Sequence, residues 1–466
     1  MSNPTDTRLR DEDEPSAIAA GESPGRDEIA AGGTAAAPDA DSPAPDQAAD
    51  AGRAEYAVIA RKFGEPRRTV GLVLIAAIGG YIMMMGMGTA LQLRLSVIDE
   101  SLATLVYSRA TSLSALLMLL VVPLVGALSD RTLSRFGRRR PWMAGGYLVA
   151  LVCFCVIGVS TNSIVVIASY IFGIAAAQAG FNAYGTIPVE GVPGNMRGRV
   201  MGVMGLCGAL AMSAGSYIAG ALVNISTVLL MTVPAVLAIV SALPLLILYK
   251  DPRHARDEVP QGGTLDMFKH MFVNPLKHPD FGLVWLSRFL AGAGMAAFLG
   301  FFVLYLVVGL GLKPGDAGAT AGRLSLMSAP VSILVFTGSG WISDKLGMLK
   351  PLVAASAVIM AIGLVIAATS ASVTGFTVAW MVFAVGQPMY LTVDLALCAK
   401  VLPAEADAGK DMAVFGLALN LGNVLVPAIA PTLLGAHSDN YPLLWGVAAA
   451  MCVVGALIMP LIRGVK

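Results

Sequence analysis

Charge is scarce in this chain. Of its 466 residues only 13% are Asp, Glu, Lys or Arg, whereas 56% are hydrophobic, and soluble domains carry about 25% charged residues. The mean hydropathy is +0.74. One aqueous core cannot hide so much apolar surface, so lipid is the expected solvent. Cysteine is sparse as well. Cys153, Cys155, Cys207, Cys398 and Cys452 are odd in number, sit in apolar runs and form no CxxC pair, which argues against a disulfide framework and for small buried hydrophobes. The four histidines, His254, His270, His278 and His437, fall in expected loops without metal-ligand spacing. No nucleophile–base pair, phosphate-cradling loop or ATP-binding motif is visible, so no enzyme activity, cofactor or metal is expected. A net charge of +1 supplies no field for a nucleic acid. Strand-like alternation of period two is absent, which excludes the usual β-barrel pattern.

What is present is a series of long apolar runs behind a polar tail. Residues 1–52 are rich in Ala, Pro, Asp, Gly, Glu and Ser with few large apolar groups; such a segment buries too little to offset its ordering entropy and is expected to be disordered. From Val70 onward, runs near 70–93, 104–127, 142–160, 164–187, 200–222, 227–248, 282–308, 319–339, 351–370, 373–397, 412–434 and 442–462 are long enough to cross a bilayer, which takes about 20 residues each. Backbone groups in lipid must pair within their own segment, so these are expected helices. Alternate connections hold Arg131, Arg135, Arg138, Arg139 and Arg140, then Arg197 and Arg199, Lys345 and Lys350, Lys400 and Lys410; those between hold only Arg94 and Lys313. The bias places both termini in the cytoplasm of a multi-pass protein in the cell membrane. The expected domains are a disordered acidic cytoplasmic tail over 1–66, a six-helix bundle over 67–249, a cytoplasmic linker over 250–281 and a second bundle over 282–466.

The two halves look related. Asp130 and Asp344 lie 214 positions apart, and the same offset pairs Gly126 with Gly340, Ser129 with Ser343, Arg131 with Lys345, and Arg109 with Arg323. Related halves with a site at their interface are the usual build of secondary transporters. The loop Gly126-Ala-Leu-Ser-Asp130-Arg131-Thr-Leu-Ser-Arg135-Phe-Gly137-Arg138-Arg139-Arg140-Pro141 is the candidate conformational gate. In it Asp130 is expected against the N-terminus of an adjacent helix, with the arginines pairing to acids or lipid phosphates. Its weaker copy contains Gly340, Asp344 and Lys345.

Polar groups within the spans supply the binding candidates: Tyr81 and Gln92 in the first span, Arg109 in the second, Gln178, Asn182 and Tyr184 in the fourth, Arg323 in the eighth, Gln387 and Tyr390 in the tenth, Asn420 and Asn423 in the eleventh. Gln178 and Asn182, at i and i+4, share a helix face. Hydroxyl and amide groups beside aromatics suit a sugar or other polyol; hydrogen bonding between helices would use the same residues. Arg109 and Arg323 would either contact a solute or reach to the headgroups. Asp394, in the tenth span, and Glu190, at the end of the fourth, are the proton-coupling candidates.

The loop is similar to the signature Gly-x-Leu-x-Asp-Arg-x-Gly-Arg-Arg of the major facilitator superfamily, and its longer form, through Ser134-Arg135-Phe136-Gly137-Arg138-Arg139-Arg140-Pro141, resembles the sucrose-carrier branch and its glycoside–cation symporter relatives. Pro193-Gly-Asn-Met-Arg197-Gly198 and Leu402-Pro403…Gly409-Lys410-Asp411 are family-like as well. The resemblance implies twelve transmembrane helices in two pseudo-symmetric six-helix bundles, an all-α membrane protein expected to be monomeric. It also implies a secondary active transporter moving a small polar solute, with a proton as candidate coupling ion. Where melibiose-type carriers place two aspartates on the second helix, this chain has Met118 and Val122; where plant sucrose carriers place an Asp and an Arg on the fourth, it has Ile174 and Gly185. The drug-antiporter Gly-Pro pair is missing from Gly202–Gly220. Efflux of an amphipathic compound and a non-transporting receptor or scaffold on the same fold stay open as alternatives.

Overall fold

A computed structural model describes residues 54–61, 63–251, 279–346, 348–401, 408–435 and 439–462, all within one compact unit, Asp50–Lys466. Twelve helices are long and apolar enough to span a membrane. They are α1 Pro66–Ile98, α2 Glu100–Asp130, α3 Arg140–Val159, α4 Ser163–Gly185, α5 Gly194–Leu222, α6 Thr227–Leu248, α7 Pro279–Leu304, α8 Pro314–Leu346, α9 Leu349–Thr369, α10 Val373–Val401, α11 Ala408–Leu434 and α12 Tyr441–Ile458. Each expected run matches one helix. Several helices exceed their runs by a turn or more, because polar residues at the ends continue the backbone pattern that hydropathy alone does not mark. Arg94 is one of these: expected in a connection, it is buried within α1. Its guanidinium donates to the carbonyls of Ile157, Gly158 and Ser160 (3.4, 3.4 and 3.1 Å), closing carbonyls that the end of α3 leaves without an intrahelical partner.

The helices pack as two copies of one plan. In the first half α1 packs on α5 and α6, α3 on α4 and α6, and α2 on α4; in the second α7 packs on α11 and α12, α9 on α10 and α12, and α8 on α10. Close approach is bought by glycine at equivalent crossings: a Cβ on Gly86 would meet the Gly215 backbone between α1 and α5, and one on Gly422 would meet Gly292 between α11 and α7. Small residues at such crossings let backbones touch where no hydrophobic effect drives association. The second half adds an aromatic cluster in which Phe298 meets Phe376, Trp380, Phe383 and Trp445. The halves join along two seams, α2 against α11 and α5 against α8.

Part of the expected tail is ordered. Residues 54–61 are helical, Ile59 and Phe63 are buried, and the Glu55 carboxylate accepts from the Gly194 N–H at 3.1 Å. The earlier tail, most of the expected 250–281 linker, and residues 402–407 lie outside the described residues.

Candidate functional site

A cavity of about 700 Å³ lies between the halves, lined from α1, α2, α4, α7, α10 and α11. Helical spacing explains its walls. Tyr107, Thr111, Ser114 and Met118 recur at i, i+4, i+7 and i+11 along α2, and Tyr170, Ile174, Gln178 and Phe181 at i, i+4, i+8 and i+11 along α4, so each set shares one face. Met84, Met85, Met295, Leu299, Gln387 and Asn423 contribute from the remaining helices. No lining residue carries a charge. Hydrogen-bonding capacity is confined to a few amides and hydroxyls: Gln178 donates to Asn182 at 2.8 Å, leaving its own oxygen free, while Asn423 donates only to the Leu419 carbonyl of its own helix at 3.4 Å. Prolines sit at the same level, Pro388 beside Gln387 and Pro427 in the wall itself; each removes an i→i−4 hydrogen bond and bends its helix.

Of the binding candidates singled out in sequence, Gln178, Gln387 and Asn423 line this cavity. Asn182 is tied to Gln178 one turn on, and Asn420 is exposed one turn from Asn423 on α11. Tyr81 packs edge-on against Phe181, centroids 5.1 Å apart. Tyr184 is buried and donates to the Val73 carbonyl at 3.3 Å. Tyr390 is fully buried in the second half, outside the lining. Arg109 and Arg323 are exposed and also outside it; Arg109 shares a face with Leu102, Leu113, Leu116 and Leu120, which are exposed large apolar groups, so it lies on the outer surface of the helix rather than in the cavity. Tyr107, Thr111, Ser114 and Tyr170 were missed. The signal for them was available: a hydroxyl-bearing stripe at 3–4 spacing inside an otherwise aliphatic run.

The two faces of the molecule differ. On the face away from the Asp130–Arg140 loop the halves touch: the Ser112 hydroxyl donates to the Val424 carbonyl at 2.7 Å, the Ser213 hydroxyl to the Gly322 carbonyl at 2.8 Å, and Gly220 abuts Gly318. On the loop face a Cβ on Gly126, Gly202, Gly205, Gly338 or Gly416, in these same helices, would meet nothing within 4 Å.

Among the described residues, the candidate gate loop forms an ion-pair network within the first half. Arg139 is 3% exposed; its Nη2 lies 2.7 Å from both Asp130 Oδ1 and Glu190 Oε1, and its Nη1 donates to Ser129 Oγ at 2.5 Å. Arg138 pairs with Glu190 and lies 3.8 Å from Asp130. Asp130 therefore pairs with arginines, and the helix-terminus role expected of it belongs to Asp251, whose Oδ2 accepts from the N–H groups of Arg139 and Arg140 at 2.7 and 3.0 Å. Burial pushes the Asp251 carboxyl up, opposed by those two N–H groups and the neighbouring Arg140 and Arg138. Gly137, at φ +97, leaves no room for a Cβ against Asp251. Arg135 lies over the Phe136 ring at 4.7 Å, Arg131 is half-buried, and in the weaker copy Lys345 lies over Trp341 at 4.9 Å and Gly340 approaches Thr392. The Asp344 side chain lies outside the described residues.

Asp394 has 0% exposure and pairs with Arg288 of α7, whose guanidinium lies 3.9 Å over the Phe415 ring. Asp394 Oδ1 and the Tyr390 hydroxyl have no hydrogen-bond partner. The pair sits outside the cavity wall.

The sequence matches the family model for the major facilitator superfamily over residues 69–353 and 284–466. The chain belongs to that superfamily. It is a multi-pass membrane transporter rather than an enzyme, and solute transport is its general activity. No curated protein matches the sequence. Among solved structures it is similar to a bacterial homolog of the human lysosomal transporter Spinster, in an inward-facing and unoccupied conformation, at 15% identity and TM-score 0.68, over 85% of this chain and 97% of that one. It is similar also to the nucleoside transporter NupG at 13% identity and TM-score 0.65, over 85% of this chain and 100% of that one. At these identities the likeness concerns the fold.

Proposed function

We propose that this transporter carries a small uncharged solute with hydroxyl or amide groups on an apolar frame, a sugar or glycoside being the leading class, by alternating access of its two bundles. The supporting observation is the cavity wall: tyrosines, Phe181, four methionines and a few amides, with no charged side chain among its lining residues. A fixed charge would be left unpaired by a neutral solute, and an ionic solute would find no counter-charge here. Met118 and Ile174, at positions where sugar symporters of the resembled branch hold acids, are part of this neutral wall. A nucleoside, the cargo named for one similar structure, joins a sugar to a planar ring and satisfies the same chemistry. Both termini are assigned to the cytoplasm on the basic loops, in a monomer of the cell membrane with domains 1–66, 67–249, 250–281 and 282–466, which makes the present state inward-facing. For coupling, Asp394 is the candidate: one oxygen pairs with Arg288 and the other has no partner, so a proton taken there would release the arginine. Glu190, engaged by two arginines, belongs to the gate.

Counterflow in proteoliposomes with neutral glycosides and nucleosides, against organic anions and cations of similar size, tests the proposal. Counterflow of a neutral solute alone supports it; exchange restricted to charged solutes overturns it, and exchange restricted to amphipathic drugs favours the efflux alternative. Uptake with and without a pH gradient, in the native chain and in Asp394→Asn, tests the coupling role, which fails if gradient dependence survives the substitution.

A further inference from the structure

Gln92 entered as a binding candidate and is found elsewhere, 2% exposed near the far end of α1. Its amide is used at both ends. Nε2 donates to the Tyr107 hydroxyl of α2 at 3.3 Å and to the Gly88 carbonyl at 3.4 Å. Oε1 accepts from the backbone N–H of Leu304 in α7 at 3.0 Å, across the division between the halves. Leu304 is the last residue of α7 before a π-helical turn, Tyr305–Gly309, and such turns displace the regular backbone pairing of a helix. One helical turn earlier, Phe301 meets the Tyr107 ring edge-on at 5.6 Å between centroids. Tyr107 also lines the solute cavity. A single amide thus joins a cavity hydroxyl to the contact that shuts the far face.

We infer that Gln92 is a positioning residue for transport: it fixes the Tyr107 hydroxyl as a hydrogen-bond donor to the solute only while the halves are latched on the far face through Leu304. Because the hydroxyl accepts from Gln92, its own proton is left for an acceptor oxygen or nitrogen on the solute. Opening the far face parts Leu304 from Gln92 and removes the restraint that orients the amide, so the donor loses its fixed direction. The cavity then holds an acceptor-bearing solute better when open to the loop face than when open to the far face. This inference rests on the proposed solute class only for its consequence for affinity. The latch itself requires no solute.

The test reads the latch without a solute. In a chain whose five native cysteines are replaced by serine, Gly88→Cys places a thiol in the cavity wall, at a position where an added Cβ meets nothing within 4 Å. A membrane-impermeant maleimide is applied to either face of oriented vesicles, with Gln92→Ala, Gln92→Met or Tyr107→Phe added. Losing a net hydrogen bond shifts a two-state equilibrium by about three- to tenfold, so labelling from the far face should rise by about that factor in Gln92→Ala and Gln92→Met, and fall from the loop face. Tyr107→Phe should shift it the same way by less, since Leu304 keeps its acceptor. Gln92→Met and Tyr107→Phe keep the side-chain bulk and serve where Gln92→Ala fails to fold. Unchanged labelling in these two overturns the latch, as does a shift seen with Gln92→Ala alone, which would reflect packing. A labelling shift in a chain that exchanges no neutral solute keeps the latch and rejects the proposed cargo.

Discussion

Replacing Asp394 by Asn leaves the buried Arg288 guanidinium without its carboxylate partner. Arg288 would keep its stacking over Phe415, a contact that contributes about 0.5–2 kcal/mol, but would lose the carboxylate that neutralises it. Removing one member of a buried pair costs about 3–5 kcal/mol because the other charge stays behind. The reverse change, Arg288→Met, should cost less, about 1–3 kcal/mol on the scale for an unpaired buried group. The asymmetry has a chemical origin: a stranded carboxylate can take up a proton, whereas a stranded guanidinium cannot shed one. The Arg288→Met deficit should therefore shrink as pH falls, and the Asp394→Asn deficit should not. Combining Arg288→Met with Asp394→Leu removes both charges and should return stability to within about 1 kcal/mol of the native chain or above it. Detergent-induced unfolding in mixed micelles, followed through Trp285 and its neighbours at several pH values and with Asp394→Leu measured alone as the second corner, supplies the double-mutant cycle. Equal deficits in the two single variants, or a double variant as unstable as the sum of its parts, would refute this account.

Other outcomes follow from the gate and the helix ends. Gly137→Ala must place a Cβ against Asp251 at a positive φ, which costs about 1–3 kcal/mol; a lowered unfolding midpoint with faster maleimide access at the loop face is expected. Asp251 is pushed above its ordinary value of 3.8 by burial, so the folded state holds that proton more tightly than the unfolded one. Its contribution is fully present below 3.8 and is lost as pH rises through the raised value. Asp251→Asn, which keeps a capping oxygen, should then gain stability relative to the native chain near neutral pH, with the gain shrinking as pH approaches 4, read as the difference in midpoints. Arg94→Met strands the Ile157 and Ser160 carbonyls at the end of α3, while the Gly158 carbonyl keeps the Thr227 hydroxyl at 2.9 Å, and should lower stability by about 1.5–3 kcal/mol, the scale of charge-assisted hydrogen bonds.

Most of the fold was legible because lipid imposes strict rules on a chain. A segment such as 349–369 has only one way to pair its backbone in hydrocarbon, and the recurrence of Arg109 at Arg323 marked the duplication before any packing was known. The site was less legible. Gln178 and Gln387 were found because amides stand out among aliphatics, but Gln92, Tyr184 and Tyr390 stand out equally and face elsewhere, since hydropathy carries no information on which side of a helix meets a cavity. Asp251 was missed for a related reason: its importance comes from the N–H groups of Arg139 and Arg140, 112 and 111 residues away in sequence, and no local pattern records such a partner.

Charge is placed away from the cavity. Asp130, Glu190, Arg138 and Arg139 are gathered at one face of the first half, Asp394 and Arg288 are paired within the second, and the cavity between them is neutral. Electrostatic energy is large where water is excluded, so charges in the cavity wall would bind an ionic cargo tightly and resist its release. Held outside it, the same charges can weight one arrangement of the bundles against another without contacting the solute. Under the proposed function recognition falls to Tyr107, Gln178, Gln387 and Asn423 of the cavity wall, neutral groups whose net hydrogen bonds are each worth about 0.5–1.5 kcal/mol. Contacts of that size let a carrier select a solute and still release it on the other side.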